Sequence, residues 1–179
     1  MRNWIEILIC MKKNGILLTG AAARISQEVA ILDLLISEGL EIKQDKTLLA
    51  GYSSGALNLL AMNGCFRDTS PLCWNEYYKK KILFSLRDKD VFKLFPLTGK
   101  SILNTAPFRV YLSAILNDMK FNTYGELPFK SFVITSQYSG FSTHWADNRH
   151  PGHAHLSPLD LFMASTAIPV VLPSQEINS

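Results

Sequence analysis

The apolar positions of this chain alternate between short unbroken runs and helical spacing. Gly15-Ile16-Leu17-Leu18-Thr19 is an apolar run that predicts a short, fully buried strand. Ile25, Val29, Leu32 and Ile36 then recur at spacings of four, three and four, which lines one face of a helix, and Gly39 marks its stop. A second run, Thr47 to Ala50, predicts a second strand. Beyond it, Leu57, Leu60 and Ala61 predict the inward stripe of a helix ending near Gly64. Strand-helix-strand-helix in this order predicts a right-handed parallel unit.

The rest of the chain continues the alternation. Ser70-Pro71 reads as a cap and first helical position of a helix to about Ser85, rich in Trp74, Tyr77, Tyr78 and Lys79-Lys80-Lys81. Its aromatic and lysine side chains suit a core-facing stripe with a solvated rim, or a resting contact on a membrane surface. Asp88 to Gly99 is a poorly defined connection. Asn104 or Thr105 opens another helix, with Pro107 near its start and a stripe of Phe108, Tyr111, Leu112 and Ile115. Phe129 to Thr135 predicts a strand, Phe141 to Trp145 a short partner for it, and Ser157-Pro158-Leu159-Asp160 a capped helix start that runs to about Thr166, before Pro169. No internal repeat or low-complexity linker interrupts the chain, which predicts one domain.

Composition narrows the function classes. The 179 residues are 47% hydrophobic and 18% charged, ample for a core and too apolar for disorder. A net charge of +3, with scattered basic residues, does not point to nucleic acid. Cys10, Cys65 and Cys73 have no metal-ligand spacing and read as reduced, mostly buried thiols, which suits a cytoplasmic setting. No apolar run reaches membrane-spanning length. Trp4-Ile5-Glu6-Ile7-Leu8-Ile9-Cys10 makes a poor signal peptide because Glu6 interrupts it, and Met11 could serve as the natural start.

Candidate chemistry sits at the second strand-to-helix turn. Gly51-Tyr52-Ser53-Ser54-Gly55 fits G-x-S-x-G between an apolar run and a helix, the context of a nucleophile elbow. Such a turn strains Ser53 and exposes its hydroxyl, with the positive helix end aimed at developing charge. Ser54 lacks the flanking glycines and reads as a helix-start residue. Gly20, Ala21, Ala22, Ala23 and Arg24 form the turn after the first strand. Neighbouring parallel strands would bring both turns to one sheet edge, where main-chain N–H groups of residues 20–23 would face a carbonyl oxygen held on Ser53.

These blocks resemble the patatin-like phospholipases. Leu18-Thr19-Gly20-Ala21-Ala22-Ala23-Arg24 resembles the family's glycine-rich oxyanion loop, and Gly51 to Gly55 its serine motif. Ser101 to Pro107 resembles its middle segment, Tyr124-Gly125-Glu126-Leu127-Pro128 with Phe132 to Thr135 the strand after it, and Ala164-Ser165-Thr166-Ala167-Ile168-Pro169 the block before its catalytic aspartate. The resemblance runs from about residue 14 to the end, leaving 1–13 as an N-terminal extension. It implies a three-layer α/β/α fold with a mainly parallel sheet. It also implies a cofactor-free serine hydrolase of phospholipid or related fatty-acyl esters, acting through a Ser–Asp dyad. Ser53 would be the nucleophile and Gly20 to Ala23 the oxyanion hole, with Arg24 anchoring the loop or favouring an anionic head group.

The chain departs from the family pattern twice. Ala21, Ala22 and Ile25 stand at glycine positions, where a positive φ would cost on the order of 1 kcal/mol or more. The family's aspartate sits in Asp-Gly-Gly or Asp-Gly-Ala, and this chain contains no Asp-Gly pair, so the base is expected beyond Ser179. Asp147 and Asp160 read as surface or cap residues. Three other readings remain open. One is a Ser-His-Asp esterase using His144, His150, His153 or His155. Another is a metal site in His150-Pro151-Gly152-His153-Ala154-His155, although that segment looks like an exposed loop. The last is an inactive binding or regulatory protein that kept the fold.

Overall fold

The computed structural model describes residues 14–20, 25–69, 71–83, 93–94, 103–137, 142–167 and 172–177. The first apolar run forms strand β1, Asn14–Leu18, and the periodic stretch after it forms helix α1, Ile25–Ser37, with Ile25, Val29 and Leu32 buried. Gly39, at φ 99°, closes that helix: its N–H and that of Leu40 reach back to the Ile36 and Leu35 carbonyls. Strand β2, Thr47–Tyr52, pairs parallel with β1 and leads into helix α2, Ser54–Cys65.

Helix α3, Trp74–Leu83, is wound in the wider π form. It starts three residues after Pro71, which with Leu72 and Cys73 stays non-helical, while Ser70 lies outside the described residues. The Leu72 N–H is taken by the Gly64 carbonyl, which holds this stretch against the end of α2. Strands β3, Lys93–Leu94, and β4, Leu103–Asn104, pair antiparallel in a stretch with no alternating pattern to announce them. Helix α4 is Ala106–Met119. A 3₁₀ turn, Tyr124–Glu126, precedes strand β5, Lys130–Ser136, and strand β6, Thr143–Asp147, pairs antiparallel with it. The short helix α5, Pro151–Ala154, occupies the stretch expected as a loop, and α6 is Pro158–Thr166. The Ser157 hydroxyl caps α6 by accepting from the Asp160 N–H at 3.3 Å.

The main sheet has the order β1-β2-β5-β6, with β1, β2 and β5 parallel. It is the α/β, mainly parallel arrangement expected from the sequence. Leu18, Leu49, Val133 and Ala146 project from one sheet face into the core, where α2, α4 and α6 contribute Leu57, Leu60, Met62, Leu112 and Phe162. Each such buried Leu, Val, Met or Phe side chain contributes roughly 1.5–3 kcal/mol. The other face carries Leu17 and Trp145, which are 62% and 50% exposed. Leu17 corrects the expectation of a fully buried first strand: it takes the face opposite Leu18 and the core, and among the described residues β1 pairs with β2 alone.

Helix α2 is buried along its whole length from Gly55 to Cys65, not on one stripe. Its two asparagines are therefore fully paired. Asn63 donates to the Leu59 carbonyl and the Ser131 hydroxyl and accepts from the Phe129 N–H. Asn58 donates to Glu28 at 2.8 Å and accepts from the Tyr78 hydroxyl. Tyr78 and Ile82 turn into the core, whereas Lys79, Lys80 and Lys81 pair with Asp33, Glu76 and Asp118. The aromatic-basic helix is thus a core stripe with an ion-paired outer face. Cys65 is buried, and burial pushes its thiol pKa up to about 12; Cys73 is exposed, against the expectation that the thiols are mostly covered. Among the described residues, no helix is long and apolar enough to cross a membrane.

Candidate active site

Strand β2 ends at Tyr52 and α2 begins at Ser54, so Ser53 alone makes the turn between them. It does so at φ 54° and ψ −126°, a region that costs an ordinary residue of order 1–3 kcal/mol. Two main-chain bonds hold it there. The Ser53 carbonyl accepts from the Ala56 N–H at 3.0 Å, and the Ser53 N–H donates to the Ser165 hydroxyl at 2.9 Å. The Ser53 side chain makes no cap hydrogen bond to its own helix. Ser54 is the first residue of α2, as the reading of a helix-start residue requires.

Glycines let three backbone segments converge on that turn. A methyl group on Gly55 would lie 2.2 Å from the Leu18 carbonyl oxygen, so β1 runs directly against the first turn of α2. One on Gly51 would lie 2.9 Å from the Ala56 Cα and the Gly55 oxygen. One on Gly20 would lie 2.6 Å from the Ser53 Cβ and 3.1 Å from the Tyr52 oxygen. The turn after β1 therefore approaches the turn after β2 at Gly20 and Ser53, as parallel neighbours at one sheet edge should. Ala21, Ala22, Ala23 and Arg24, the rest of the expected oxyanion loop, lie outside the described residues. Tyr52, 41% exposed, flanks Gly20 on the other side, with its ring carbon 3.2 Å from the same methyl position.

Two supporting groups carried no sign of this role in the sequence, although Ser165 lies in the Ala164 to Pro169 block. Glu28 of α1 accepts from the Thr19 hydroxyl at 3.2 Å and from Asn58 of α2 at 2.8 Å, and so ties the exit of β1 to the helix behind Ser53. Ser165 of α6 reaches Ser53 across 112 positions of sequence. Neither pairing follows from local spacing. A cleft of about 360 Å³ lined by Gln44, Arg67, Thr69 and Lys120 opens at the opposite end of the strands, before β2 and β5, and takes no part in this site.

The histidines are engaged within their own segment. His150 Nδ1 accepts from the Gly152 N–H, His153 Nδ1 accepts from the Asp147 N–H, and His155 Nδ1 stands 3.4 Å from the Pro151 carbonyl. The His153 ring lies 5.1 Å from that of His144 and 4.8 Å from that of His150. Among the described residues, no three His, Cys, Asp or Glu side chains converge as a metal-ligand set. Asp160 pairs with Arg109 at 2.5 Å, and Asp147 with Lys130 at 3.6 Å, so both serve as structural anions.

Desolvation, helped by the neighbouring His144 and His150, lowers the His153 pKa below its ordinary 6.5. The folded state therefore binds this proton less readily than the unfolded chain does. Below about pH 6.5 the unfolded chain takes up the proton first, so this group's stabilisation is present above that pH and is lost as pH falls through the lowered folded value. The ring is largely solvated, so the effect is small. A melting-temperature series from about pH 7.5 to pH 5 should fall less steeply for His153→Gln than for the wild type. Equal slopes would place the acid sensitivity elsewhere.

Residues 14–179 match the family model described as Patatin-like phospholipase. No curated protein matches the chain significantly.

Proposed function

The chain belongs to the patatin-like phospholipase family, a family of lipid acyl hydrolases, and on that premise we propose that it hydrolyses fatty-acyl esters of phospholipids or related lipids with Ser53 as nucleophile. The observation that carries this reading is the approach of Gly20 to Ser53, where an added methyl would lie 2.6 Å from the serine Cβ. Gly51, Tyr52, Ser54 and Gly55 form the elbow; Gly20, Ala21, Ala22 and Ala23 supply main-chain N–H groups to the oxyanion; Arg24 anchors that loop or favours an anionic head group.

In the reaction the Ser53 oxygen attacks the ester carbonyl and its proton passes to a general base. The oxyanion collapses, the lyso-lipid alcohol leaves with that proton, and water then releases the fatty acid from the acyl-serine. The base of the proposed dyad is an aspartate of the Asp-Gly type, which none of this chain's aspartates supplies. No cofactor enters the scheme. Lipid is the one partner it needs, met by transient contact of a cytoplasmic protein with a membrane surface.

An inactive binding protein of the same fold is the second reading, favoured by Ala21, Ala22 and Ile25 at positions where the family has glycine. Fatty-acid release from phospholipid vesicles by the natural protein separates the two: sustained release supports the enzyme, and none from folded protein supports the binder. Replacing His144, His150, His153 and His155 one at a time separates the dyad from a Ser-His-Asp triad. Each variant should keep turnover within about threefold of wild type, whereas loss of a triad histidine costs about 10⁴-fold or more. Such a loss at a single histidine would replace the dyad by a triad.

A further inference from the structure

We propose that Ser165 is a positioning residue of the elbow, its hydroxyl bridging the Ser53 amide to the Ile134 carbonyl of β5 and so holding the nucleophile in its strained conformation. The inference rests on the reading of Ser53 as nucleophile and goes beyond it.

The need for such a bridge follows from where Ser53 stands. Its N–H lies past the last ladder residue of β2 and before the first turn of α2, and the first N–H groups of a helix have no partner within it. Ser165 supplies the partner from 112 positions away, at 2.9 Å. The same hydroxyl donates to the Ile134 carbonyl at 2.7 Å. That second bond sets the hydroxyl rotor: with its proton committed to Ile134, the oxygen presents a lone pair to Ser53. A serine inside a helix commonly turns its hydroxyl back to the preceding turn; this one spans to a strand and a loop instead.

Ser165 is also held rigidly. It is 3% exposed, and its neighbours Leu161, Phe162 and Met163 sit in the core against β5. The bridge therefore refers the elbow to the sheet rather than to a mobile surface. Fixing the Ser53 N–H fixes the plane of the Tyr52–Ser53 peptide. With that plane fixed on one side and the Ser53 carbonyl held by the Ala56 N–H on the other, φ of Ser53 cannot swing from 54° to the negative values that a serine prefers. Without the bridge the peptide is free to rotate, and the hydroxyl would leave the line of attack.

The test is the rate at which a fluorophosphonate probe labels Ser53 in the natural protein. It is measured for wild type, Ser165→Ala, Ser165→Cys, which keeps the size but bonds weakly, and Ser165→Thr, which keeps the hydroxyl. Alanine and cysteine should label about 10- to 100-fold more slowly, the cost of a small misplacement, and lose kcat with KM near wild type, while threonine restores most of the rate. Folded alanine and cysteine variants labelling at the wild-type rate would overturn the inference and leave the nucleophile standing. A wild type that is not labelled at Ser53 would overturn the nucleophile reading and the positioning role with it. Amide exchange of the wild type covers variants that do not fold: an Ser53 N–H protected like the α6 amides supports the bridge, and exchange at the rate of an open turn overturns it.

Discussion

Ser53→Ala is expected to lower fatty-acyl ester turnover by about a thousandfold or more, with the melting temperature within about 2 °C of wild type. The size of the loss follows from the role. In the proposed reaction, attack by the side-chain oxygen is the step that makes the covalent intermediate. Ser54, the other hydroxyl in the motif, belongs to the first turn of α2. The small stability change follows from the geometry: the hydroxyl caps nothing in its own helix, and alanine keeps the N–H that Ser165 holds. Ser53→Gly should be equally inactive yet melt higher than Ser53→Ala, because glycine reaches φ 54° without a Cβ penalty. Calorimetry of the two variants therefore measures the strain, and ester turnover measures the chemistry. An alanine variant that keeps a tenth of wild-type activity would remove Ser53 from the mechanism.

Gly55→Ala should be the most destabilising single methyl in the described chain. The added carbon would sit 2.2 Å from the Leu18 oxygen and 2.5 Å from the Leu18 carbonyl carbon, both main-chain atoms of a paired strand. Neither yields without moving β1 from α2, and α2 is buried along its length. The expected cost is about 3 kcal/mol, a fall in melting temperature on the order of 10 °C. Two controls bracket it. Gly64→Ala would meet the flexible end of Met119, from 2.8 Å, and should cost less; Gly15→Ala meets nothing within 4 Å and should be near neutral. If Gly55→Ala melts with Gly15→Ala, the close approach of β1 to the elbow is absent in solution.

The strand-to-helix turn at Ser53 was legible because its signals are local. An apolar run on one side and a periodic stretch on the other set strand and helix, and Gly51 makes room for Ala56 five residues on. The parallel unit was legible for the same reason. What escaped was set by tertiary placement. Ser165 and Glu28 gain their roles from partners on other elements. The exposure of Leu17 depends on which sheet face it takes and what covers that face, which no run of apolar residues encodes. The later start of α3 and the pairing of β3 with β4 fall where Pro71 and a short irregular stretch offer no periodicity. Likewise, His150-Pro151-Gly152 looked like loop chemistry, but the His150 ring caps the Gly152 N–H and Pro151 opens the short helix α5.

The most direct measurement is a crystal structure of the natural protein carrying a fluorophosphonate adduct. The account predicts phosphorus bonded to the Ser53 oxygen, with a phosphonyl oxygen within hydrogen-bond distance of main-chain N–H groups in the Gly20 to Ala23 turn. An adduct on another residue, or one on Ser53 whose phosphonyl oxygen points away from that turn, would contradict it.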